Sequence, residues 1–468
     1  MLLLSIVATE TSTVTFLSLP GQSFREGGSL VFLQVTLGYV VGRLLVVALL
    51  LPEFFRGKAF TAYEVLQDRF GPAVRSAASA LFLACRTLAD GLRLFLTGLA
   101  LQQALGWDLP TCVVTITVAT AVYATLGGVS SVVWNDCLQL TIYTAGAMVA
   151  AGLIVTAVPG GVSAIADFGA ETGRLRLWDF DLGLFGGSMT FWSGLVGGAI
   201  LSLATHGVDH LMVQRYLCAR SKRSAALALG LSGPLVALQF LMFLLIGVGL
   251  AAFFANRPEG ADLAADQAFA AFLAGHTPTG LRGLLFAAVV AAAISTLSSS
   301  LNASAGVAVK DLVEPLRRAS AAGDSSSGGV AAAKGATILF AVLQGAVALG
   351  AHYGGFAQNA SVVWLVLGIA GFTTGILVGL FFLGMLRGRC STAAALVALG
   401  AGFFAGLLVF GWNTSVDAKI VDGPKVNGMW NALIASGTTL AAGWFASAAM
   451  PVVTPPAEAS PAESEPAE

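Results

Sequence analysis

Long apolar stretches, separated by short polar loops, make up most of this chain. A helix needs about 20 mostly apolar residues to cross the hydrocarbon core of a bilayer, and windows of that kind recur along the sequence. The pattern predicts an all-α polytopic membrane protein with about twelve spans. The predicted spans are 1–19, 29–52, 74–104, 109–126, 129–156, 187–213, 224–254, 281–308, 331–352, 357–386, 391–411 and 429–450.

Composition supports this class and excludes several others. Of the 468 residues, 56% are hydrophobic and 10% are charged, whereas soluble domains are about 25% charged. The sequence has no basic patch with interleaved aromatic residues, which argues against nucleic-acid binding. Its five cysteines are scattered, so neither a disulfide framework nor a metal site is indicated. It also lacks the GxSxG, HExxH and P-loop patterns, and we predict that the protein is not an enzyme.

Basic residues in the loops predict the orientation in the membrane. One set of loops holds twelve Lys or Arg residues and the other holds six. Cytoplasmic loops carry an excess of such residues, so the first set is predicted to be cytoplasmic. The first set is 53–73, 214–223, 309–330 and 387–390, and the second is 20–28, 157–186, 255–280 and 412–428.

The ends of the chain carry separate expectations. The tail 451–468 is rich in Pro, Ala and Glu, and we predict a disordered cytoplasmic extension. The first span begins without a polar flank, which favours an N-terminus that lacks some residues of the natural protein. The Ala- and Gly-rich composition favours the inner (plasma) membrane of a bacterium.

Ionisable residues within predicted spans are functional candidates, because such groups are costly to place in a membrane. They are Glu10, Arg43, Asp90, Arg93, Asp136, His206 and Asp209. Arg86, Asp90 and Arg93 are spaced i, i+4, i+7 and share one helix face. Two readings of this stripe stay open, a structural ion pair and a role in gating.

Two spans contain signs of interruption. The first reads "SIVATETSTVTFLSLPG" and the sixth reads "LSLATHGVDHLMVQR". Both have Ala-Thr, then a titratable residue, then residues that favour helices poorly. Broken helices in corresponding positions of two halves indicate a transporter site. The freed carbonyl oxygens need a cation, a ligand or water, because an unsatisfied carbonyl in hydrocarbon costs several kcal/mol.

A cluster of hydroxyls follows a long apolar run, in "AAAISTLSSSLNASAG" at 291–306. Ser295, Ser298 and Ser299 are spaced i, i+3, i+4 and share a helix face, with Thr296 beside them. Hard cations prefer oxygen ligands, and neutral oxygens with at most one carboxylate suit a monovalent ion. The alternative is that these serines bond to their own helix or allow close helix packing.

Several stretches resemble the sodium/solute symporter family. They are 291–306, "GGVSSVVWNDCLQ" at 127–139, "ATETSTVTFLSLPG" at 8–21, "TAYEVLQDRFG" at 61–71 and "HGVDHLMVQRYL" at 206–217. The resemblance implies the leucine-transporter-type fold, an inverted five-plus-five helix repeat with peripheral helices. The implied segments are a first repeat (1–156), an extracellular connection (157–186), a second repeat (187–386), two peripheral helices (387–450) and the tail (451–468).

The resemblance also implies site residues. The main sodium site would use carbonyls of Ala8, Thr11 and Ala292 with the hydroxyls of Ser295 and Thr296. A second sodium site would use Asp136, Ser295, Ser298 and Ser299, which implies two sodium ions per solute. The sequence departs from the family pattern at Asn135, where Thr is usual. The implied solute pocket comprises Glu10, Thr13, Thr15, Gln34, His206 and Asp209.

These features together predict a sodium-coupled symporter that imports a small organic solute by alternating access. Sodium would be a co-substrate, and no cofactor is expected. The tenth span, "SVVWLVLGIAGFTTG", is almost bare of polar groups. Burying an unmatched hydroxyl is costly, so a carboxylate, amino acid or vitamin-like acid is favoured over a sugar. The alternatives are proton coupling through Glu10, Asp136 or Asp209, and a non-transporting solute sensor.

Overall fold

A computed structural model of the protein describes residues 2–56, 63–126, 129–186, 189–260, 263–315, 326–354, 362–387 and 390–450. The described residues are almost entirely helical. The α-helices are Leu2–Glu10 (α1), Thr13–Phe24 (α2), Val35–Leu45 (α3), Leu51–Arg56 (α4), Glu64–Phe70 (α5), Pro72–Leu105 (α6), Leu109–Leu126 (α7), Val129–Ala157 (α8), Gly161–Glu171 (α9), Gly198–Gly207 (α10), His210–Leu217 (α11), Lys222–Phe254 (α12), Ala268–His276 (α13), Thr279–Val307 (α14), Ser326–Tyr353 (α15), Val362–Arg387 (α16), Thr392–Asp417 (α17) and Asn431–Ala449 (α18).

Nine helices within the described residues are long and apolar enough to cross a membrane, and the pair α1 and α2 makes a tenth if it counts as one bent span. The protein is therefore a multi-pass membrane protein. Helix α6 is long enough but carries four charged residues, and α10 and α11 are each too short. These are the third and sixth predicted spans, so the total of twelve stays a prediction.

Both predicted interruptions are present. Helices α1 and α2 meet at an angle of 58°, and Thr11 and Ser12 lie between them outside either helix. The Ser12 hydroxyl caps α2 by accepting a hydrogen bond from the Val14 amide at 3.3 Å. Val208 and Asp209 separate α10 from α11, and Asp209 Oδ1 accepts from the Leu211 amide at 2.9 Å. A short polar residue therefore caps the N-terminus of the helix that follows each break.

The broken helices lie inside the bundle. Helix α1 contacts α8, α12 and α14, while α2 contacts α12 and α6, and α10 contacts α3 and α16. Small residues allow the closest of these approaches. A side chain at Gly38 would lie only 2.6 Å from the Ala199 backbone nitrogen. At Gly42 it would lie 2.9 Å from the Leu203 nitrogen. Helix α3 therefore rests directly on the backbone of α10, next to the second break.

We predict that Gly38→Ala destabilises the protein while Gly230→Ala does not. The new methyl group at Gly38 collides with backbone that has no room to move, and overpacking of this kind costs about 1–3 kcal/mol. Gly230 lies in helix α12 with open space around it, and alanine there stabilises the helix by about 0.5–1 kcal/mol. Chemical unfolding of both variants in detergent measures the difference. Equal stability of the two variants would contradict the close approach of α3 and α10.

Candidate functional site

A cavity of about 130 Å³ lies where the two broken helices meet. Its polar side chains come from both breaks and from α6, and its apolar ones come mainly from α12, α16 and the 3₁₀ turn Leu30–Gln34. The polar residues include Glu10, Ser12, Thr15, Thr205, His206 and Asp209. The apolar residues include Phe32, Phe240, Val363, Val366, Leu367 and Ala370. Helix α16 is the predicted tenth span, and it contributes only apolar side chains here.

Two arginines from α6 also line the cavity, and both pair with Asp90. Arg86 Nε lies 2.9 Å from Asp90 Oδ2, and Arg93 Nη1 donates to Asp90 Oδ1. Arg86 also donates to Ser300 Oγ at 2.7 Å and to Asp209 Oδ2 at 3.3 Å. The α6 stripe therefore forms the ion pairs that its spacing predicts, and it joins α6 to α14 and to the second break.

One nitrogen of the Arg93 guanidinium lacks a hydrogen-bond partner within the described structure. That nitrogen is Nε, which is buried. The residue lines the cavity, and Asp90 is the carboxylate that its guanidinium pairs with. A guanidinium has five N–H donors, so Arg93 can bind an anionic ligand without losing Asp90. Arg86, in contrast, already uses two of its nitrogens on three acceptors.

A second ion pair lies at the first break. Arg43 of α3 donates to Glu10 Oε2, and its side chain is 1% exposed. His206 Nε2 lies 3.6 Å from the same carboxylate oxygen. The other ring nitrogen of His206 lies 3.3 Å from the Ser202 carbonyl oxygen. Glu10 is therefore neutralised by Arg43 and tied to α3 and α10.

Four of the six predicted solute residues line the cavity, and the other two bond elsewhere. Glu10, Thr15, His206 and Asp209 line the cavity. Thr13 instead accepts a hydrogen bond from Thr97 Oγ1 of α6 at 3.1 Å. Gln34 bonds to backbone, donating to the Val31 carbonyl at 3.2 Å and accepting from the Asp179 amide at 3.3 Å. Neither is among the residues that line this cavity.

The five residues of the main sodium set are all buried, on helices that contact each other. They are Ala8, Thr11, Ala292, Ser295 and Thr296, from the end of α1 and from α14, and these helices are in contact. The last carbonyls of α1 have no partner within their own helix. Thr11 Oγ1 donates to the Val7 carbonyl at 2.8 Å and to Gln239 Oε1 at 2.6 Å. Thr296 Oγ1 donates to the Ala292 carbonyl at 3.2 Å.

The residues of the second sodium set lie together, but Asp136 already has a cationic partner. Ser295 Oγ donates to Asp136 Oδ1 at 2.6 Å, and Ser298 Oγ donates to the Ser295 carbonyl at 3.1 Å. Ser299 Oγ is buried and has no hydrogen-bond partner among the described residues. Arg215 Nη2 lies 3.1 Å from Asp136 Oδ2. The sequence-based placement of Arg215 in a loop is wrong, because it lies in the last turn of α11 and is 5% exposed.

Comparisons with known proteins identify the family of this chain. The family model described as "Sodium:solute symporter family" matches residues 1–402. The chain belongs to the sodium:solute symporter family. The human sodium-coupled monocarboxylate transporter 1 is 33% identical over 419 residues, which are 87% of this chain and 65% of that relative. The human sodium/iodide cotransporter is 29% identical, over 87% of this chain and 62% of that relative.

This symporter-family chain thus spans less than two thirds of the length of these curated relatives. Among solved structures, a Na⁺-coupled sialic acid symporter in a substrate-bound outward-open state matches 96% of this chain and 89% of its own, with a TM-score of 0.79 and 24% identity. MhsT in complex with L-phenylalanine matches 95% of this chain and 97% of its own, with a TM-score of 0.54 and 12% identity. These likenesses establish the leucine-transporter-type fold that the sequence predicts.

Several residues of this family member's site escaped the sequence analysis. Ser5, Tyr39 and Thr205 carry hydroxyls that occur throughout such helices, and nothing in the sequence singles them out. Arg86 and Arg93 were recognised as a stripe but not as part of the pocket. An arginine within a span is costly, which indicates a functional role. It does not indicate which site the side chain belongs to.

We predict that Asp90→Asn destabilises the protein strongly, whereas the exposed Asp422→Asn does not. The substitution at Asp90 leaves two buried guanidiniums without their shared carboxylate, and breaking a buried ion pair in this way costs about 3–5 kcal/mol. Chemical unfolding in detergent measures this cost. Adding Arg93→Gln to Asp90→Asn should recover part of it, because one of the stranded charges is then removed. Strictly additive losses in the double variant would contradict a shared ion pair.

Proposed function

We propose that this protein is a sodium-coupled symporter that imports a small monocarboxylate by alternating access. The observation that carries the proposal is the position of Arg93, a cavity-lining arginine whose guanidinium pairs with the carboxylate of Asp90. Arginine binds carboxylates through short, charge-assisted hydrogen bonds. A carboxylate beside Arg93 would add a second anionic partner to the one that Asp90 supplies.

Charge at the cavity supports an anionic solute. Arg86 and Arg93 face two carboxylates, those of Asp90 and Asp209, and Glu10 is neutralised by Arg43. The ionised side chains around the cavity therefore balance before any ligand enters. A carboxylate that arrives with one sodium ion keeps this balance. A cationic solute would place a further positive charge beside Arg86 and Arg93. The carboxylates that line the cavity are already paired with arginines and would not neutralise it.

The size and lining of the cavity support a short acid. A cavity of about 150 Å³ holds benzene, which has six heavy atoms, so about 130 Å³ suits an acid of lactate or propionate size. The apolar side chains of α16 and α12 would contact its alkyl part. A sugar would leave hydroxyls against Val363, Val366 and Leu367, where no hydrogen-bond partner is available. The relatives include proteins named as transporters of monocarboxylate and of iodide, both anions.

Sodium would bind between the first break and α14. The proposed ligands are the carbonyls of Ala8, Thr11 and Ala292 and the hydroxyls of Ser295 and Thr296. An ion held there links α1 to α14 and so stabilises one arrangement of the break, which also forms a wall of the solute cavity. The ion can shift the population of states only by its different affinity for them.

Proton coupling is the weaker alternative. Glu10, Asp136 and Asp209 are the candidate proton carriers, and each lies within ion-pair distance of an arginine. Protonating such a carboxylate would leave the charge of its buried arginine uncompensated, at a cost of about 3–5 kcal/mol. A sodium ion bound by neutral oxygens avoids this cost. Uptake in sodium-free buffer at acid pH would favour the proton alternative.

We predict that the purified protein in liposomes takes up radiolabelled propionate or lactate when sodium, but not choline, is outside. Arg93→Gln should reduce this uptake by about 10- to 100-fold, because a charge-assisted hydrogen bond to a carboxylate contributes about 1.5–3 kcal/mol. Arg176→Gln, at a side chain that is 59% exposed, is the matched control and should leave uptake unchanged. Sodium-driven uptake of glucose without uptake of either acid would refute the proposed solute class.

We also predict a sodium-specific rise in thermal stability that Thr296→Ala removes. A ligand that binds only the folded state raises apparent stability by mass action. The control is Thr337→Ala, because Thr337 is also buried and also donates to the carbonyl four residues earlier in its helix. The melting temperature in sodium is compared with that in choline for each variant. A sodium response that survives in Thr296→Ala would exclude this hydroxyl from the ion site.

A further inference from the structure

Asp136 lies where four helices of the bundle meet. It is on α8, its side chain is 1% exposed, and its partners come from α1, α11 and α14. Oδ2 accepts from Ser5 Oγ at 3.0 Å and lies 3.1 Å from Arg215 Nη2. Oδ1 accepts from Ser295 Oγ at 2.6 Å. Both carboxylate oxygens are therefore engaged, and the negative charge is already neutralised.

Arg215 is held in place through all three of its nitrogens. Besides its bond to Asp136, Nε donates to Ser5 Oγ at 3.2 Å and Nη1 donates to the Leu211 carbonyl at 2.6 Å. The side chain is 5% exposed. Arginine is always charged in proteins, so the guanidinium carries a permanent positive charge at this position. A planar group with this many directed bonds is fixed rather than loosely attracted.

A sodium ion at Asp136 would have to share the carboxylate with that guanidinium. Two cations would then face one buried carboxylate, and burying an uncompensated charge is strongly unfavourable. The neutral oxygens nearby would otherwise suit sodium. Ser5 and Ser295 both contact Asp136, and the buried Ser299 hydroxyl has no partner within the described structure. The oxygens around Asp136 therefore suit a cation, and the guanidinium of Arg215 is that cation.

We propose that the Arg215 guanidinium is the resident cation of Asp136 and excludes a second sodium ion from this position. The inference rests on the proposed function and deepens it by assigning a stoichiometry of one sodium ion per solute. It departs from the two ions that the family resemblance implies. One sodium ion and one monocarboxylate together carry no net charge, so the transport cycle is electrically neutral.

The test is equilibrium binding of radioactive sodium to the purified protein without solute. The wild-type protein should bind one equivalent. Arg215→Gln should bind a second equivalent, because Asp136 is then an unpaired carboxylate among neutral oxygens. Arg215→Lys keeps a cation at the position and should bind one equivalent. The double variant Arg215→Gln with Asp136→Asn should also bind only one, because the carboxylate is gone.

Thermal stability provides a second readout if Arg215→Gln is too unstable for binding measurements. This variant should melt at a lower temperature than the wild type in choline and should recover specifically in sodium, more than the wild type does. The double variant should show no such additional recovery. Two sodium equivalents bound by the wild type would overturn the proposal. So would an Arg215→Gln protein that is folded but binds no additional sodium.

Electrical measurements separate this inference from the proposed function. In liposomes with a potassium diffusion potential set by valinomycin, wild-type uptake of propionate should not change with the potential. A strong increase with an inside-negative potential would overturn the single-ion stoichiometry while leaving sodium-coupled uptake intact. A complete absence of sodium-dependent uptake would instead refute the proposed function. The sodium equivalents bound by Arg215→Gln would still decide the role of Arg215, since that measurement uses no solute.

Discussion

Backbone polar groups within a membrane must be hydrogen-bonded, and the two broken helices are where this protein departs from that constraint. Between α1 and α2 and between α10 and α11, the regular ladder stops in the middle of the bundle. Lipid offers no partner for the freed groups. Ser12 and Asp209 satisfy amides at the start of the following helices. We propose that carbonyls at the end of α1 bind a cation, and the cavity lies where both helices are interrupted.

The charges around the cavity follow from the same low-polarity surroundings. Each buried carboxylate near the breaks lies beside an arginine from another element or another turn: Glu10 with Arg43, Asp90 with Arg86 and Arg93, and Asp136 with Arg215. These pairs join α1 to α3 and α8 to α11, and the Arg86–Asp209 pair joins α6 to the second break. Of the two arginines that line the cavity, Arg93 is the one with a buried Nε that has no hydrogen-bond partner among the described residues. A site that is neutral on its own favours solute and ion entering as a pair of opposite charges.

Local signals were sufficient for the helical membrane class and for the two breaks, because apolar length and helix-breaking residues act locally, whereas the five-plus-five repeat came from the family resemblance. The runs of about 20 apolar residues and the Thr, Ser and Gly residues after Glu10 and His206 need no knowledge of distant contacts. Placement within the pocket was harder. Glu10 and His206 sit at the breaks and line the cavity. Thr13 and Gln34 do not, because Thr13 bonds to Thr97 of α6 and Gln34 bonds to the backbone of Val31 and Asp179.

Long-range pairing was the part that local patterns could not supply. Arg215 and Asp136 are 79 positions apart, and the sequence singles out Asp136 but not its partner. Arg215 sits near other basic residues, which is why the loop-charge rule assigned it to the cytoplasm. Only the packing of α11 against α1 and α14 brings it to the carboxylate. We propose that ion stoichiometry depends on this contact, which a family motif alone does not reveal.

The central claim is that sodium and a carboxylate bind to opposite sides of the same broken helix and strengthen each other's binding. Calorimetric titration of propionate into the purified protein, in sodium and then in choline, tests it most directly. Coupling between two sites is reciprocal and is typically 5- to 150-fold in affinity. We predict propionate binding that is at least about tenfold tighter in sodium. Equal affinity in the two salts would contradict the account, because the ion would then have no influence on the solute site.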